Sequence, residues 1–203
     1  LEDTLAYTRS PGGNHQWASP SSPELAWSEG WATFFSSMAR ADKRYLVLVK
    51  GRWMNTTQHV KLPLHKYLTE GGERRVSVNP EGKAAHTVFR LLARWPEMSL
   101  LEAQLKTGRT HQIRVHLAHL GFPILGDEKY GDFALNRELK RGGLKRMALH
   151  AWRMVLRHPL TGAPLECVAP LPESIAGYIA AVDAQKTREF TADHLEQILG
   201  KLL

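Results

Sequence analysis

From Lys43 onward the chain alternates between short apolar runs and turn-forming residues. Tyr45–Val49 is a continuous apolar stretch stopped by Gly51, the pattern of a strand covered on both faces, and Val60–Leu64 is a shorter candidate. Arg74–Val78 and Thr87–Leu92 flank the turn-rich Asn79-Pro80-Glu81-Gly82 and are expected to pair across it. Leu101, Ala103 and Leu105 alternate with Glu102, Gln104 and Lys106, which predicts a half-buried strand over Leu100–Lys106. Trp152, Met154 and Leu156 alternate with Arg153, Val155 and Arg157; Pro159–Gly162 and then Leu165–Val168 complete a hairpin.

The period changes at Gly108. Thr110 is a candidate N-cap for a helix with Ile113, Leu117 and Leu120 on one face, and Gly121 stands where such a helix ends. Ser174–Ala184 and Thr191–Leu203 are further helical segments. Many short strands with few helices, lacking regular strand-helix alternation, predict an α+β domain on a largely antiparallel mixed sheet with flanking helices. Residues 1–39 hold neither period. Ser10, Pro11, Gly12 and Gly13 sit there among scattered Trp17, Trp27 and Trp31, the composition of an irregular arm.

Charge narrows the partner. The 203 residues carry 27 Lys and Arg against 20 Asp and Glu, a net charge of +7 that favours a polyanion. Cys167 is the single cysteine, which excludes an internal disulfide and a cysteine-built zinc site and fits a reducing, cytoplasmic setting. Its apolar neighbours in a predicted strand lead us to expect a buried, inert thiol. No apolar stretch reaches the length of a membrane span. GxSxG, GxxxxGK[ST] and GxGxxG are absent, so the usual serine-hydrolase, P-loop and dinucleotide signatures are missing.

The densest polar constellation is TGRTHQIRVHLAH, Thr107–His119, with Arg109, His111, Arg114, His116 and His119 on and just before one short helix. Basic side chains beside free N–H groups at a helix start can hold phosphate, and a solvated amphipathic helix is the plainer alternative. The three histidines raise zinc, but HExxH is absent and no nearby carboxylate or thiolate completes a ligand set, so no metal is expected. Cations recur beside aromatics at Lys43-Arg44-Tyr45, Lys50, Arg52-Trp53 and Lys129-Tyr130, a combination suited to holding an RNA backbone while rings stack on bases.

KRYLVLVKGRW (Lys43–Trp53), NPEGKAAHTVF (Asn79–Phe89), LLEAQLKTGRTHQIRVHLAHLGFPILGDEKYGD (Leu100–Asp132) and LHAWRMVLRHPLTG (Leu149–Gly162) resemble, in order and spacing, the RluA family of pseudouridine synthases, nearest its RluC-type branch acting on large-subunit ribosomal RNA. The resemblance covers about Arg40 to Pro172. It implies a cofactor-independent isomerisation of uridine to pseudouridine in RNA, with 23S-type ribosomal RNA as partner. It also implies roles. Tyr45 matches the KxY tyrosine that packs on the target base, and Arg114 matches the HQ[IL]R arginine that pairs with a catalytic aspartate. Lys43, Arg44, Arg109 and His111 become candidates for RNA contacts.

The family aspartate, in a motif of the form RLDxxTSG, has no match. Its expected place, roughly thirty residues before the KxY tyrosine, falls near Ser10–Asn14, where no Asp stands; Asp3 and Asp42 lack the motif's neighbours. Codons consistent with Pro11–Pro23, read one base forward, permit Leu-Glu-Ala-Thr-Thr-Ser-Gly, so a shifted reading frame stands beside an unrelated arm as an account of this segment. The resulting expectation is an irregular segment 1–39, an N-terminally truncated synthase core 40–172 and a helical segment 173–203. The function is uridine isomerisation, with a non-catalytic RNA-binding remnant of the same fold as the alternative.

Overall fold

The structure, a computed structural model, describes residue 38, residues 40–158 and residues 161–200. The irregular segment and the frame-shift reading therefore lie almost wholly outside the described residues.

Among the described residues nine strands and four helices follow in order: β1 Asp42–Lys50, β2 Thr57–Val60, β3 Leu64–Leu68, β4 Arg74–Val78, β5 Thr87–Arg94, β6 Met98–Leu105, α1 Gln112–His119, α2 Phe133–Arg141, β7 Leu149–Arg157, β8 Pro164–Val168, α3 Glu173–Gln185, β9 Phe190–Thr191 and α4 Leu195–Gly200. The main sheet runs β2-β5-β6-β1-β7-β8, with β9 added on β5, and β3-β4 form a separate ribbon. The β1/β6, β5/β6, β2/β5, β5/β9 and β3/β4 pairings are antiparallel. The architecture is the α+β class that the alternation predicts.

Two compact units divide the chain. The main one runs from Asp42 to Met154 and resumes at Cys167; the tip of the β7-β8 hairpin, Val155–Glu166, belongs to the other. Within that tip, His158 N–H donates to the Ala163 carbonyl at 2.8 Å.

In the main unit each face of the sheet has its own apolar cluster. Alternate residues of a strand point to opposite faces, so Leu46 and Leu48 join Leu92, Leu100 and Trp152 under Ile175 and Ile179 of α3 and Leu195 of α4. Val47 and Val49 join Phe89, Leu101 and Ala103 under Ile113 and Leu117 of α1. Trp53 closes this second cluster, edge-on to Phe89 and Phe122. A third cluster, Leu64, Val76, Ala85 and Val115, seats the ribbon on α1.

Four expectations are corrected. Arg74–Val78 pairs with Leu64–Leu68, not with Thr87–Leu92. The Asn79–Gly82 turn forms, with Gly82 N–H donating to the Asn79 carbonyl at 2.8 Å, but Lys83 then bridges to Leu64, which carries the chain past the ribbon before β5 begins. Val60–Leu64 is not one strand, because β2 ends at Val60 and β3 starts at Leu64. The last segment opens as a strand at Phe190–Thr191, and its helix starts only at Leu195. Cys167 is exposed, as are all five residues of β8, the outermost strand of the sheet.

Candidate active site

The site is assembled where α1 begins. Thr110 does not cap this helix: His111 is the N-cap, in the left-handed region at φ 55, and its side chain makes no cap bond. Buried Gln112 ties down the preceding loop instead. Its Oε1 accepts from Arg109 N–H at 3.0 Å and from the Thr107 hydroxyl at 2.8 Å, while its Nε2 donates to the His86 carbonyl and to Thr87 Oγ1, both at 3.0 Å. One amide thus fastens the TGRT loop to β5. At the other end Gly121, at φ 82, closes the helix as predicted.

Arg114, in the first turn of α1, reaches the loop after the helix. Its Nε donates to Asp127 Oδ2 at 2.8 Å and its Nη2 to Asp127 Oδ1 at 2.7 Å, a bidentate pair in which the carboxylate is 1% exposed. Asp127 Oδ1 also accepts the backbone N–H groups of Lys129 and Tyr130 at 2.8 and 3.0 Å. Burial by itself would push this carboxyl up; the Arg114 bonds and the two backbone donors outweigh it and hold the group below the ordinary carboxylate value. With four donors upon it, three on Oδ1 and one on Oδ2, Asp127 is engaged in positioning Arg114. Among the described residues Arg114 Nη1 donates to none, so this edge of the guanidinium is left for a ligand.

The loop that presents Asp127 needs its glycines. Gly126 has φ +76, and a Cβ there would stand 2.4 Å from the Arg146 carbonyl oxygen; a Cβ on Gly131 would stand 2.2 Å from that of Asp127. Asn136 of α2 secures the same turn, accepting from Gly126 N–H at 2.9 Å and donating to the Asp127 carbonyl at 2.8 Å.

Tyr130 lies under Arg114, its ring centroid 5.0 Å from the guanidinium carbon. Its hydroxyl accepts from Val76 N–H at 3.0 Å and lies 2.9 Å from His111 Nδ1. A hydroxyl hydrogen directed at Nδ1 goes with the neutral His111 ring protonated on Nε2, and the other tautomer donates Nδ1–H to the phenol oxygen. Burial, followed by the Arg114 and Lys129 charges, lowers the His111 value and favours the neutral ring.

His116 follows the same logic in the core. His116 Nε2 donates to the Leu62 carbonyl at 2.9 Å, and because burial lowers the His116 value and favours the neutral ring, Nδ1 accepts from the Thr87 hydroxyl at 3.0 Å. Both ring nitrogens are occupied, while His119 is exposed. The three histidines of this segment point to three different environments, and among the described residues no group of three or more His, Cys, Asp or Glu is placed to hold a metal ion.

Tyr45 is half-buried on β1 opposite Ala103, packed on the cluster to which α1 contributes Ile113 and Leu117. Burial raises its phenol value, so the ring is neutral at neutral pH. Lys43 shares its face by strand parity. Arg44 is on the opposite face, donating to Glu102 Oε2 at 2.9 Å and to Asp42 Oδ2 at 3.1 Å; Glu102 is 3% exposed and also accepts from Arg90 at 3.1 Å. Arg109 is exposed, with Nε donating to the Ala84 carbonyl at 3.1 Å. It lines a cavity of about 390 Å³ with His65, Lys66 and Lys83, and His111 lines another of about 650 Å³ with Tyr67, Arg74 and Arg75. The sequence assigns no role to Asp127 or Gln112 and marks Tyr130 only as an aromatic beside Lys129; the signal for Asp127 is its place in the GDEKYG stretch.

The profile of RNA pseudouridylate synthases matches residues 26–119. The ribosomal large subunit pseudouridine synthase C of Haemophilus ducreyi is 41% identical over 144 residues, 71% of this chain and 45% of that protein. Its namesake in Escherichia coli strain K12 is also 41% identical, over 135 residues, 66% of this chain and 42% of that protein. Human RNA Pseudouridylate Synthase Domain Containing 1 superposes with a TM-score of 0.65 at 26% identity, covering 89% of this chain and 72% of that one. Human RNA Pseudouridylate Synthase Domain Containing 4, at 21% identity and a TM-score of 0.58, shares the fold over 84% of this chain and 70% of its own. The chain belongs to the RNA pseudouridylate synthase family. It spans less than half the length of the curated relatives it matches.

Proposed function

We propose that this chain carries the base-binding and guanidinium parts of a site converting uridine to pseudouridine in large-subunit ribosomal RNA. The reaction breaks the N1–C1′ glycosidic bond, turns the uracil, joins C5 to C1′, and releases the C5 proton while N1 gains one. Tyr45 is the platform for the extruded base, supported by its half-buried place on the α1 side of the sheet. Arg114 is the charge partner of a reacting carboxylate.

The observation that carries this reading is the Arg114–Asp127 pair. A bidentate partner locks the guanidinium while leaving Nη1 unspent, the arrangement needed to hold a second carboxylate ionised. Asp127 is the anchor and the reacting carboxylate is a separate group, which the family supplies from RLDxxTSG. Lys43, Arg109 and His111 contact the RNA near the site. Arg44 contributes from the opposite face, where Glu102 and Asp42 fix it.

The setting we propose is cytoplasmic, in accord with one free, exposed Cys167. Among the described residues no helix is long and apolar enough to cross a membrane. Tritium release from large-subunit ribosomal RNA labelled at uridine C5 tests the function. Release is expected once an RLDxxTSG segment is introduced with its aspartate within residues 10–14, and is lost again with Arg114→Ala. Undiminished release from the Arg114→Ala form removes the assigned role.

A further inference from the structure

A second cluster of cations stands at the sheet edge, away from the Arg114–Asp127 pair. β2 is the terminal strand, and His59 on it lies opposite Val88 of β5. His59 Nδ1 and His86 Nε2 are 3.1 Å apart, with ring centroids separated by 5.3 Å and planes inclined by 33°. One of these nitrogens must donate and the other accept, so the pair shares a proton, and charging both rings sets two cations face to face.

The position of His86 is fixed by its backbone. Its N–H donates to Thr107 Oγ1 at 2.9 Å, and its carbonyl accepts from Gln112 Nε2 and from Lys106 N–H, each at 3.0 Å. The charged groups facing it are Lys61 just after β2, His59, and Lys106 at the end of β6; His116 of α1 faces it from below. Burial, then Lys61, His59 and Lys106, keep the His86 ring below its ordinary value. Both lysines are exposed. Asp42 faces Lys106, but its two oxygens are taken by Gln104 Nε2 at 2.7 Å and Arg44 Nε at 3.1 Å. Two ammonium groups and two imidazoles therefore converge with no carboxylate among the described groups acting on His86, an arrangement that an oxyanion would neutralise.

We infer that His59, Lys61, His86 and Lys106 form a phosphate-contacting site for the RNA backbone, and that seating a phosphodiester there draws a proton onto the histidine pair. The inference rests on the RNA reading above and adds to it a second anchoring point, tied through Thr107 and Gln112 to the loop that begins α1. RNA affinity then rises as pH falls, because the bound state holds more protons than the free one.

The test is fluorescence anisotropy of a Cy3-labelled RNA hairpin with uridines in its loop, titrated with the full chain at two pH values and several salt concentrations. The unsubstituted chain should bind about tenfold tighter near about pH 6 than near about pH 8. The pair His59→Gln, His86→Gln should lose most of that gain. Lys61→Ala with Lys106→Ala should reduce the slope of log affinity against log salt by about two. His59→Gln alone, on the edge strand, serves if the double variant does not fold. A pH gain that persists without the histidines, or a salt slope unchanged without the lysines, overturns the phosphate site and leaves the RNA reading standing. An unsubstituted chain that does not bind the hairpin at any pH contradicts both.

Discussion

Arg114 and Asp127 meet through two parallel N–H···O bonds of 2.8 and 2.7 Å, with the carboxylate withdrawn from solvent and, among the described residues, no acceptor on Nη1. The pair joins α1 to the loop that follows it, so it is at once a fold contact and the means by which a cation is held in the site.

Removing one partner should cost more than the pair contributes. Arg114→Ala leaves a buried, unpaired carboxylate and should lower unfolding stability by about 3–5 kcal/mol, whereas Asp127→Asn, which keeps a hydrogen-bonding group in place, should cost less. Urea unfolding of the two variants checks the order. Equal, negligible losses would mean that the pair is not held in the folded chain.

The pair also gives stability a pH dependence. The Asp127 carboxyl lies below its ordinary value of 3.8 in the folded chain, so its contribution is full above 3.8 and is lost as pH falls through the lower folded value. Melting temperature should drop steeply on that acid limb, and Asp127→Asn should flatten it. A limb of unchanged steepness in the variant would place the acid sensitivity elsewhere.

Gly126→Ala should be severely destabilising, by about 3 kcal/mol or more, because it combines an unfavourable positive φ with a contact of 2.4 Å to the Arg146 carbonyl. Gly143→Ala is the control: φ is also positive, but the space is open, so only the backbone cost of about 1 kcal/mol is expected. Thermal unfolding of the two separates steric from conformational cost.

Much of this was legible in the chain. β1 and β6 follow from the apolar run Tyr45–Val49 and from the alternation at Leu100–Lys106, since period-2 burial is a local property. Pairing partners are not local: the turn at Asn79–Gly82 marks a reversal without saying which strand receives it. The start of α1 differs from the expectation because Gln112, rather than a hydroxyl at Thr110, does the fastening, and two of its four partners, on His86 and Thr87, are brought near only by the fold. Arg114 is singled out by its motif. Its anchor Asp127 is not, because a carboxylate thirteen residues away in sequence becomes its partner only through the α1-loop geometry. Cys167 was placed wrongly for a similar reason: apolar neighbours predict burial only when a second layer covers the strand.

Tyr45 separates binding from turnover. Tyr45→Ala removes the base platform and should weaken RNA affinity by about 1–3 kcal/mol as well as abolish turnover. Tyr45→Phe keeps the ring and should retain affinity while turnover falls strongly. Anisotropy with an RNA hairpin and the tritium assay, run on the same preparations, distinguish these; full turnover in Tyr45→Phe would make the hydroxyl dispensable.

The most direct measurement is tritium release from C5-labelled large-subunit ribosomal RNA by three forms of the chain: as it stands, with an RLDxxTSG segment whose aspartate falls within residues 10–14, and with that segment plus Arg114→Ala. The account predicts release from the second form alone. Release from the third at the rate of the second would contradict it, because the guanidinium held by Asp127 would then have no part in the chemistry.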